Sequence, residues 1–269
     1  MSVEEVRLRP RPPACKIIVA IDGPAGAGKS TVARHLARHF GMLNIESGAM
    51  YRAFALKALR AGVPLDASRS LEGLAAETTI RLDPAPRENP DNVDNRVLLD
   101  GEDVTGLIRS QAVTDAASRV SVWPAIRTWM VSLQQQLGAG GGVVMEGRDI
   151  GTVVFPLAQV KIFLDAAPEV RGLRRFVQVD QVDPVVQAGG QHGSPPARQP
   201  DEVIRDLRAR DERDRNRADS PLKPALDAVL LDSTRMTLEE TVLAAEAIVA
   251  AKLDQLNSQF GGGGVGPGR

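Results

Sequence analysis

Short apolar runs bounded by polar or glycine-rich turns recur along this chain, and stretches of helical period lie between them. Ile17 to Ile21 is the first run. A glycine-rich turn follows, then Val32, Leu36 and Phe40 on one helical face, with Gly41 as a stop signal. Leu43 to Ile45 predicts a second strand. Ala49 to Ala61 predicts a helix carrying Tyr51, Phe54, Leu56 and Leu59, broken at Gly62-Val63-Pro64. From about Leu65 to Arg109 the pattern changes. A short helix (Ser70 to Glu77) precedes two extended runs, Thr78 to Leu82 and Arg96 to Leu99, with the polar stretch Pro84 to Asn95 between them. The second run ends in Asp100-Gly101, a hairpin signal, so this piece reads as an antiparallel insertion. Gln111 to Val120 and Trp123 to Leu137 predict helices, the second with Pro124 at its tolerant first turn.

Two buried-strand runs come next, Gly142 to Met145 and Val160 to Leu164. A helix from Pro168 to about Val179 leads into a long Pro/Gly-rich loop, Asp180 to Pro200, of the kind that is either a lid or disordered. Asp201 to Arg217 is a strongly charged helix and Ala228 to Leu231 a last strand. Thr237 to Leu253 is a closing helix, with Thr237 and Glu240 spaced as a capping box. Five strands alternating with helices predict an α/β fold: a parallel sheet with helices on both faces and right-handed crossovers. Ligands of such sheets sit at the carboxyl ends of the strands. Glu46-Ser47, Glu146 to Asp149 and Asp165 all fall just past predicted strand ends and should face one crevice.

Composition narrows the field. The 269 residues suffice for one α/β domain with an insert, or for two small domains. Lys and Arg number 33 against 34 Asp and Glu, a net charge of −1 that offers no field for a polynucleotide. The single cysteine, Cys15, excludes an internal disulfide and suits a reducing compartment. No apolar core of signal-peptide length and no run of membrane-span length is present, so a cytoplasmic location is expected. Residues 1–14 read as a flexible arm, 15–254 as the folded domain and 255–269 as a flexible glycine-rich tail.

The chemistry concentrates first at Gly23-Pro24-Ala25-Gly26-Ala27-Gly28-Lys29-Ser30-Thr31, which fits the phosphate-binding pattern G-x-x-x-x-G-K-[ST] between a strand and a helix. Glycines let backbone N–H groups turn inward onto anionic oxygens, and the helix N-terminus adds further donors. Lys29 is expected to reach the β- and γ-phosphates of a nucleoside triphosphate as a point charge outside the core, and the Ser30 hydroxyl to hold Mg²⁺. The loop predicts nucleotide binding without saying what is done with it. Arg52, Arg148, Arg174, Arg175, Arg210, Arg213 and Arg217 are candidates to clamp a transferring phosphoryl group, whose spread charge suits the arginine fork. Each alone also fits a solvated surface. Arg210, Asp214 and Arg217 share one helical face, which equally fits a salt-bridged exposed helix.

ESGAMYR (Glu46 to Arg52), VLLDGEDVTGLIRS (Val97 to Ser110), EGRDIGTVVFP (Glu146 to Pro156), VKIFLDA (Val160 to Ala166), RDERDRNR (Arg210 to Arg217) and LDSTRMTLEE (Leu231 to Glu240) follow the phosphate loop in order. Together they resemble the bacterial cytidylate kinase family from Ile17 to about Ala250. The resemblance implies a nucleoside monophosphate kinase with a five-stranded parallel core, a monophosphate-binding insert at about 63–120 and a lid at about 171–210. It implies that Ser47, Arg52, Arg148 and Arg217 meet the CMP phosphate or its surroundings. Arg210 and Asp214 would hold the ribose, Ser118, Arg127 and Asp149 would read cytosine, and Arg174 would cover the ATP phosphates. It implies Mg²⁺-dependent transfer from ATP to CMP or dCMP by a monomer without nucleic-acid or membrane partners. Glu46 and Glu146 are departures: Glu46 stands where aspartate is common, and Glu146 is one carbon longer than the aspartate some members carry. A kinase for another monophosphate such as UMP or for a small alcohol, and a nucleotide-dependent switch, are the alternatives.

Overall fold

The computed structural model describes residues 16–83, 95–182 and 199–260. The predicted arm 1–14, Cys15, most of the polar stretch after Leu82, residues 183–198 of the Pro/Gly loop and the tail from 261 lie outside the described residues.

β1 (Ile18–Asp22) runs into the glycine loop and α1 (Lys29–His39); β2 (Leu43–Glu46) turns directly into α2 (Ser47–Arg60). α3 (Ser68–Ala76), β3 (Ile80–Asp83), β4 (Arg96–Leu99) and β5 (Glu102–Asp103) form the insertion with α4 (Gln111–Val120). α5 (Pro124–Gly138), β6 (Val143–Gly147), β7 (Val160–Asp165), α6 (Pro168–Val182), α7 (Pro200–Asn216), β8 (Val229–Asp232) and α8 (Leu238–Phe260) complete the chain. The main sheet has the order β2-β6-β1-β7-β8, and every pairing in it is parallel, as the strand–helix alternation predicts. β3, β4 and β5 form a separate antiparallel sheet.

Period-2 alternation divides the core between the two faces. Ala20, Val143 and Met145 point into one cluster with α2, α4 and α5, where Phe54 meets Trp129 edge-on at 5.1 Å between ring centroids. Val19, Ile21 and Val144 point into the other, with Val32 and Leu36 of α1 and Val242, Ala245 and Val249 of α8. Burying one such aliphatic side chain contributes about 1.5–3 kcal/mol, so both helix layers are held firmly against the sheet.

Three elements differ from the sequence expectation. β5 is a two-residue strand added after the Asp100-Gly101 turn, too short to leave a periodic signal. The closing helix passes Leu253 and runs to Phe260, because Leu253 and Leu256 continue its contact with the core; residues 255–260 are therefore helix rather than tail. Ile150–Val154, read only as part of a motif, is one turn of π-helix after β6.

Candidate functional site

Parallel pairing brings the strand ends level. In register, Glu46 of β2 lies beside Glu146 of β6, and Asp22 of β1 lies beside Gly147 and Phe163. The glycine loop leaves β1 at this end. Gly23 has φ 150°, and a Cβ there would sit 1.9 Å from the Leu164 carbonyl oxygen, so only glycine lets the loop pass this close to β7. At the end of β6 a Cβ on Gly147 would lie 2.6 Å from Ser47 Oγ, so that side chain would have to shift. That close approach lets Ser47 Oγ donate to the Glu146 carbonyl at 2.6 Å, locking the start of α2 onto β6.

Asp22 organises the neighbouring turn. Its two carboxylate oxygens accept from Ile150 N at 2.8 Å and Gly151 N at 2.7 Å. These contacts cap the π-helical turn, in which Val154 N donates to the Asp149 carbonyl at 3.2 Å and Phe155 N to the Ile150 carbonyl at 2.7 Å. Such turns concentrate at functional sites. This one aims the two side chains before it, Arg148 and Asp149. Burial pushes the Asp22 carboxyl up to about 6 although the two backbone donors pull it down. Sequence reading assigned Asp22 no role, since its partners lie more than a hundred residues away.

Asp22→Asn is expected to lower unfolding free energy by about 1–3 kcal/mol, because an amide can accept only one of the two backbone hydrogen bonds. Asp22 holds its proton more tightly in the folded state. Its contribution is complete below the ordinary carboxyl value of 3.8 and is lost as pH rises through about 6. The stability gap between wild type and variant should therefore be wider at pH 5 than at pH 8 in urea titrations. A gap that widens instead with pH would contradict the assigned environment.

Lys29, expected outside the core, is buried. The first turn of α1 places it under the loop, where Nζ donates to the Pro24 carbonyl at 2.7 Å. Burial is the largest cause that pushes its ammonium down to about 7. Arg148 and Arg210 add repulsion, while Glu146 and Asp22 oppose it. Arg210 is driven down to about 10 by burial first and then by Arg148, with Arg52 and Arg175 also adverse and Asp214 compensating. Lys29, Arg52, Arg148 and Arg210 thus crowd one neighbourhood. Among the described residues, the buried Nε atoms of Arg52, Arg127 and Arg210 and Nη2 of Arg217 have no hydrogen-bond partner.

The remaining predicted residues are held in separate local contacts. Arg148 Nε donates to Asp214 Oδ2 at 2.9 Å, and Arg217 Nη2 lies 3.8 Å from Asp214 Oδ1, so one helical carboxylate holds both phosphate candidates. Asp214 stays ionised below the usual carboxylate range: burial raises it, but Arg148, Arg217 and Arg210 together outweigh burial. Arg127 and Asp149 form a buried ion pair, with Arg127 Nη1 also donating to the Ser121 carbonyl at 3.3 Å. Ser118 Oγ accepts from Arg213 Nε at 3.3 Å. Tyr51, given no role from sequence, sits among Arg127, Asp149, Arg217 and Asp214, and burial pushes its hydroxyl up to about 12. Arg52 pairs with Glu46 at 2.5 Å. Arg174 stands apart: its guanidinium donates to Ser233 Oγ at 3.0 Å, Ser233 O at 2.9 Å and Met236 O at 3.3 Å, in the turn between β8 and α8.

Within the predicted lid, Arg171 has a structural task. Its buried guanidinium donates to Ala25 O at 2.9 Å and Ala166 O at 2.7 Å and pairs with Asp211 at 2.6 Å. It joins α6, α7 and the glycine loop, and Ala25, Phe176, Val203 and Leu207 form a small apolar cluster across the same three elements.

Glu146 and Ser30 form the candidate metal seat. Burial, then the charge of Glu46, raises the Glu146 carboxyl above its usual range; Lys29, the Ser30 hydrogen bond and Arg148 pull the other way. Glu146 Oε1 is buried without a hydrogen-bond partner. Two carboxylates and a hydroxyl are hard oxygen donors of the kind Mg²⁺ takes, so these residues fit that ion. Ser30 was legible in the motif. The strand-end rule points Glu46 and Glu146 at the same crevice, and the strand register sets them side by side.

The family model described as Cytidylate kinase matches residues 19–251. The chain is 43% identical over 239 residues to a cytidylate kinase of Pasteurella multocida, covering 89% of this chain and 97% of that protein. It is 48% identical over 233 residues to one from Pelotomaculum thermopropionicum, covering 87% and 96%. It is 43% identical over 237 residues to one from Mannheimia succiniciproducens, covering 88% and 97%.

Proposed function

This chain belongs to the cytidylate kinase family, and on that premise we propose that it transfers the γ-phosphoryl group of ATP to CMP or dCMP, giving ADP and CDP or dCDP. The observation that carries the reading is the crowding of Lys29, Arg148 and Arg210 beside the glycine loop. Burial and mutual repulsion depress Lys29 and Arg210, and two facing polyanions would relieve both. A switch that holds a single nucleotide has no need of a second cationic group across the crevice.

The loop Gly23 to Thr31 cradles the ATP phosphates, with Lys29 swinging from the Pro24 carbonyl onto them. Ser30, Glu146 and Glu46 are the residues that would hold Mg²⁺, which supplies charge neutralisation at the phosphates when bound. Ser47, Arg52, Arg148 and Arg217 hold the acceptor phosphate, and Arg210 and Asp214 the ribose. An oxygen of that phosphate attacks the γ-phosphorus of ATP as the bond from it to the β-phosphate oxygen breaks. The attacking oxygen is already anionic, so no general base is needed. Alignment and charge compensation carry the rate. Arg174 reaches the ATP phosphates only by leaving Ser233 and Met236, which makes its part in catalysis a matter of movement. Asp149, Arg127 and Ser118 read the base. Cytosine presents an amine donor beside ring acceptors, and a carboxylate with an arginine complements it. Action as a monomer in a reducing compartment belongs to the same proposal; the single cysteine in 269 residues supports the compartment.

An assay of ADP release against CMP, dCMP, UMP and small alcohols tests the reading. CMP or dCMP should exceed UMP by about 10-fold or more in kcat/KM, the worth of one unpaired buried polar group. Equal turnover of UMP would move the chain to a broader pyrimidine kinase. No turnover of any monophosphate would sink the proposal.

A further inference from the structure

A second cluster of ligating side chains lies on the far face of α1, and the phosphoryl-transfer chemistry makes no use of it. His35 and His39 stand four residues apart, so one helical face presents both imidazoles. Glu246, on α8, meets them: His35 Nε2 lies 2.5 Å and His39 Nδ1 2.8 Å from the same carboxylate oxygen, Oε1. The three ligand atoms all lie within 4.8 Å of one another. The two helices are already fixed by their shared core of Val32, Leu36, Val242, Ala245 and Val249, so the cluster is held from beneath by packing. The histidine side chains are 42% and 53% exposed, which leaves the solvent side open to an ion and to a water ligand.

We propose that His35, His39 and Glu246 bind one divalent transition-metal ion, with Zn²⁺ the preferred ion, and that the ion clasps α1 to α8. Two imidazoles and a carboxylate are a borderline donor set that suits Zn²⁺, Co²⁺ or Ni²⁺ and disfavours Mg²⁺. Two histidines at this helical spacing are a recurring way to offer two ligands to zinc. Tetrahedral zinc with bonds of about 2.0–2.2 Å keeps its ligand atoms about 3.4 Å apart. The two nitrogens need to retreat from Oε1 by about 1 Å or less, within reach of side-chain rotation alone. Three protein ligands leave the fourth position to water. Because α1 begins at Lys29, the ion would stiffen the far end of the helix that carries the phosphate-loop lysine.

The test uses the untagged full chain, free of nucleotide, titrated with Co²⁺ and followed by the visible absorption of tetrahedral cobalt, with Zn²⁺ as competitor. One Co²⁺ should bind per chain and be displaced by Zn²⁺. His39→Ala and Glu246→Gln should each weaken binding by about 10-fold or more. His39 is exposed and Glu246 partly so, and both lie away from the transfer site, so kinase turnover with Mg²⁺ as the sole added metal should be unchanged. Saturating Zn²⁺ should raise Tm by a few degrees in the wild type and not in either variant. His192→Ala and Cys15→Ala, which alter the other soft ligands of the chain, should leave affinity as it was. No saturable cobalt binding overturns the proposal. So does binding that survives both His39→Ala and Glu246→Gln, or binding that disappears with His192→Ala or Cys15→Ala.

Discussion

Lys29→Met is expected to lower turnover by on the order of 10²-fold or more while making the nucleotide-free protein more stable at neutral pH. The first effect follows from position. Lys29 closes the phosphate loop, and removing one preorganised electrostatic group from a developing charge typically costs that much. The second follows from burial. The ammonium is held at about 7 against its ordinary 10.5, first by desolvation and then by Arg148 and Arg210. The folded state therefore binds fewer protons than the unfolded chain between those two values, and wild-type stability should rise with pH across that window. Methionine carries no charge to bury, so the variant should lack that rise and gain about 1–3 kcal/mol near pH 7. Each unit of depression is worth 1.36 kcal/mol, partly offset by the lost hydrogen bond to the Pro24 carbonyl. Urea unfolding at pH 7 and pH 10, beside steady-state kinetics, measures both. A variant that keeps near-normal turnover would remove Lys29 from the mechanism. One that is less stable than wild type at pH 7 would show that its charge is welcome where it sits.

The second large effect concerns Asp149 and Arg148, adjacent in sequence and assigned different work. Asp149→Asn should shift the ratio of kcat/KM for CMP over UMP towards UMP by about 10-fold or more. A carboxylate can accept the cytosine amine but opposes the uracil carbonyl, whereas an amide can turn its own donor to uracil. Asparagine is the more informative replacement, since it keeps an acceptor oxygen for the buried Arg127, whereas Asp149→Ala would leave that guanidinium facing a void, at about 3–5 kcal/mol of stability. Arg148→Ala should depress CMP and UMP turnover alike, because phosphate contacts carry no base identity. It also frees Asp214 from its hydrogen bond to Arg148 at 2.9 Å, so KM for both monophosphates should rise together. If Arg148→Ala shifts the ratio and Asp149→Asn does not, the division of labour between these neighbours is reversed.

Much of the architecture was legible because it is local. The strand Ile18–Asp22, the glycine loop and α1 are consecutive, and their apolar spacing, glycines and lysine each constrain only near neighbours. The alternation of strands and helices predicts a parallel sheet for the same reason, since a parallel pair requires a crossover between its strands. The motif spelled out Lys29 and Ser30, and the strand-end rule directed Glu46, Ser47 and Glu146 to Asp149 towards one crevice. What no window of sequence contains is the pairing of distant segments. Strand register sets Glu46 beside Glu146. The two oxygens of Asp22 wind Ile150 to Val154 into a π-turn, and periodicity gives no sign of it. Lys29 reads as a charge outside the core, and only the tertiary packing buries it beside Arg148 and Arg210. Arg171 and Arg174 look alike on one helix. Tertiary packing gives the first to Ala25 and Asp211 and the second to Ser233 and Met236. Local pattern settles which elements form, because propensity, caps and turns act over a few residues. Register and burial decide what each charged side chain meets, because those depend on which segments exclude water together.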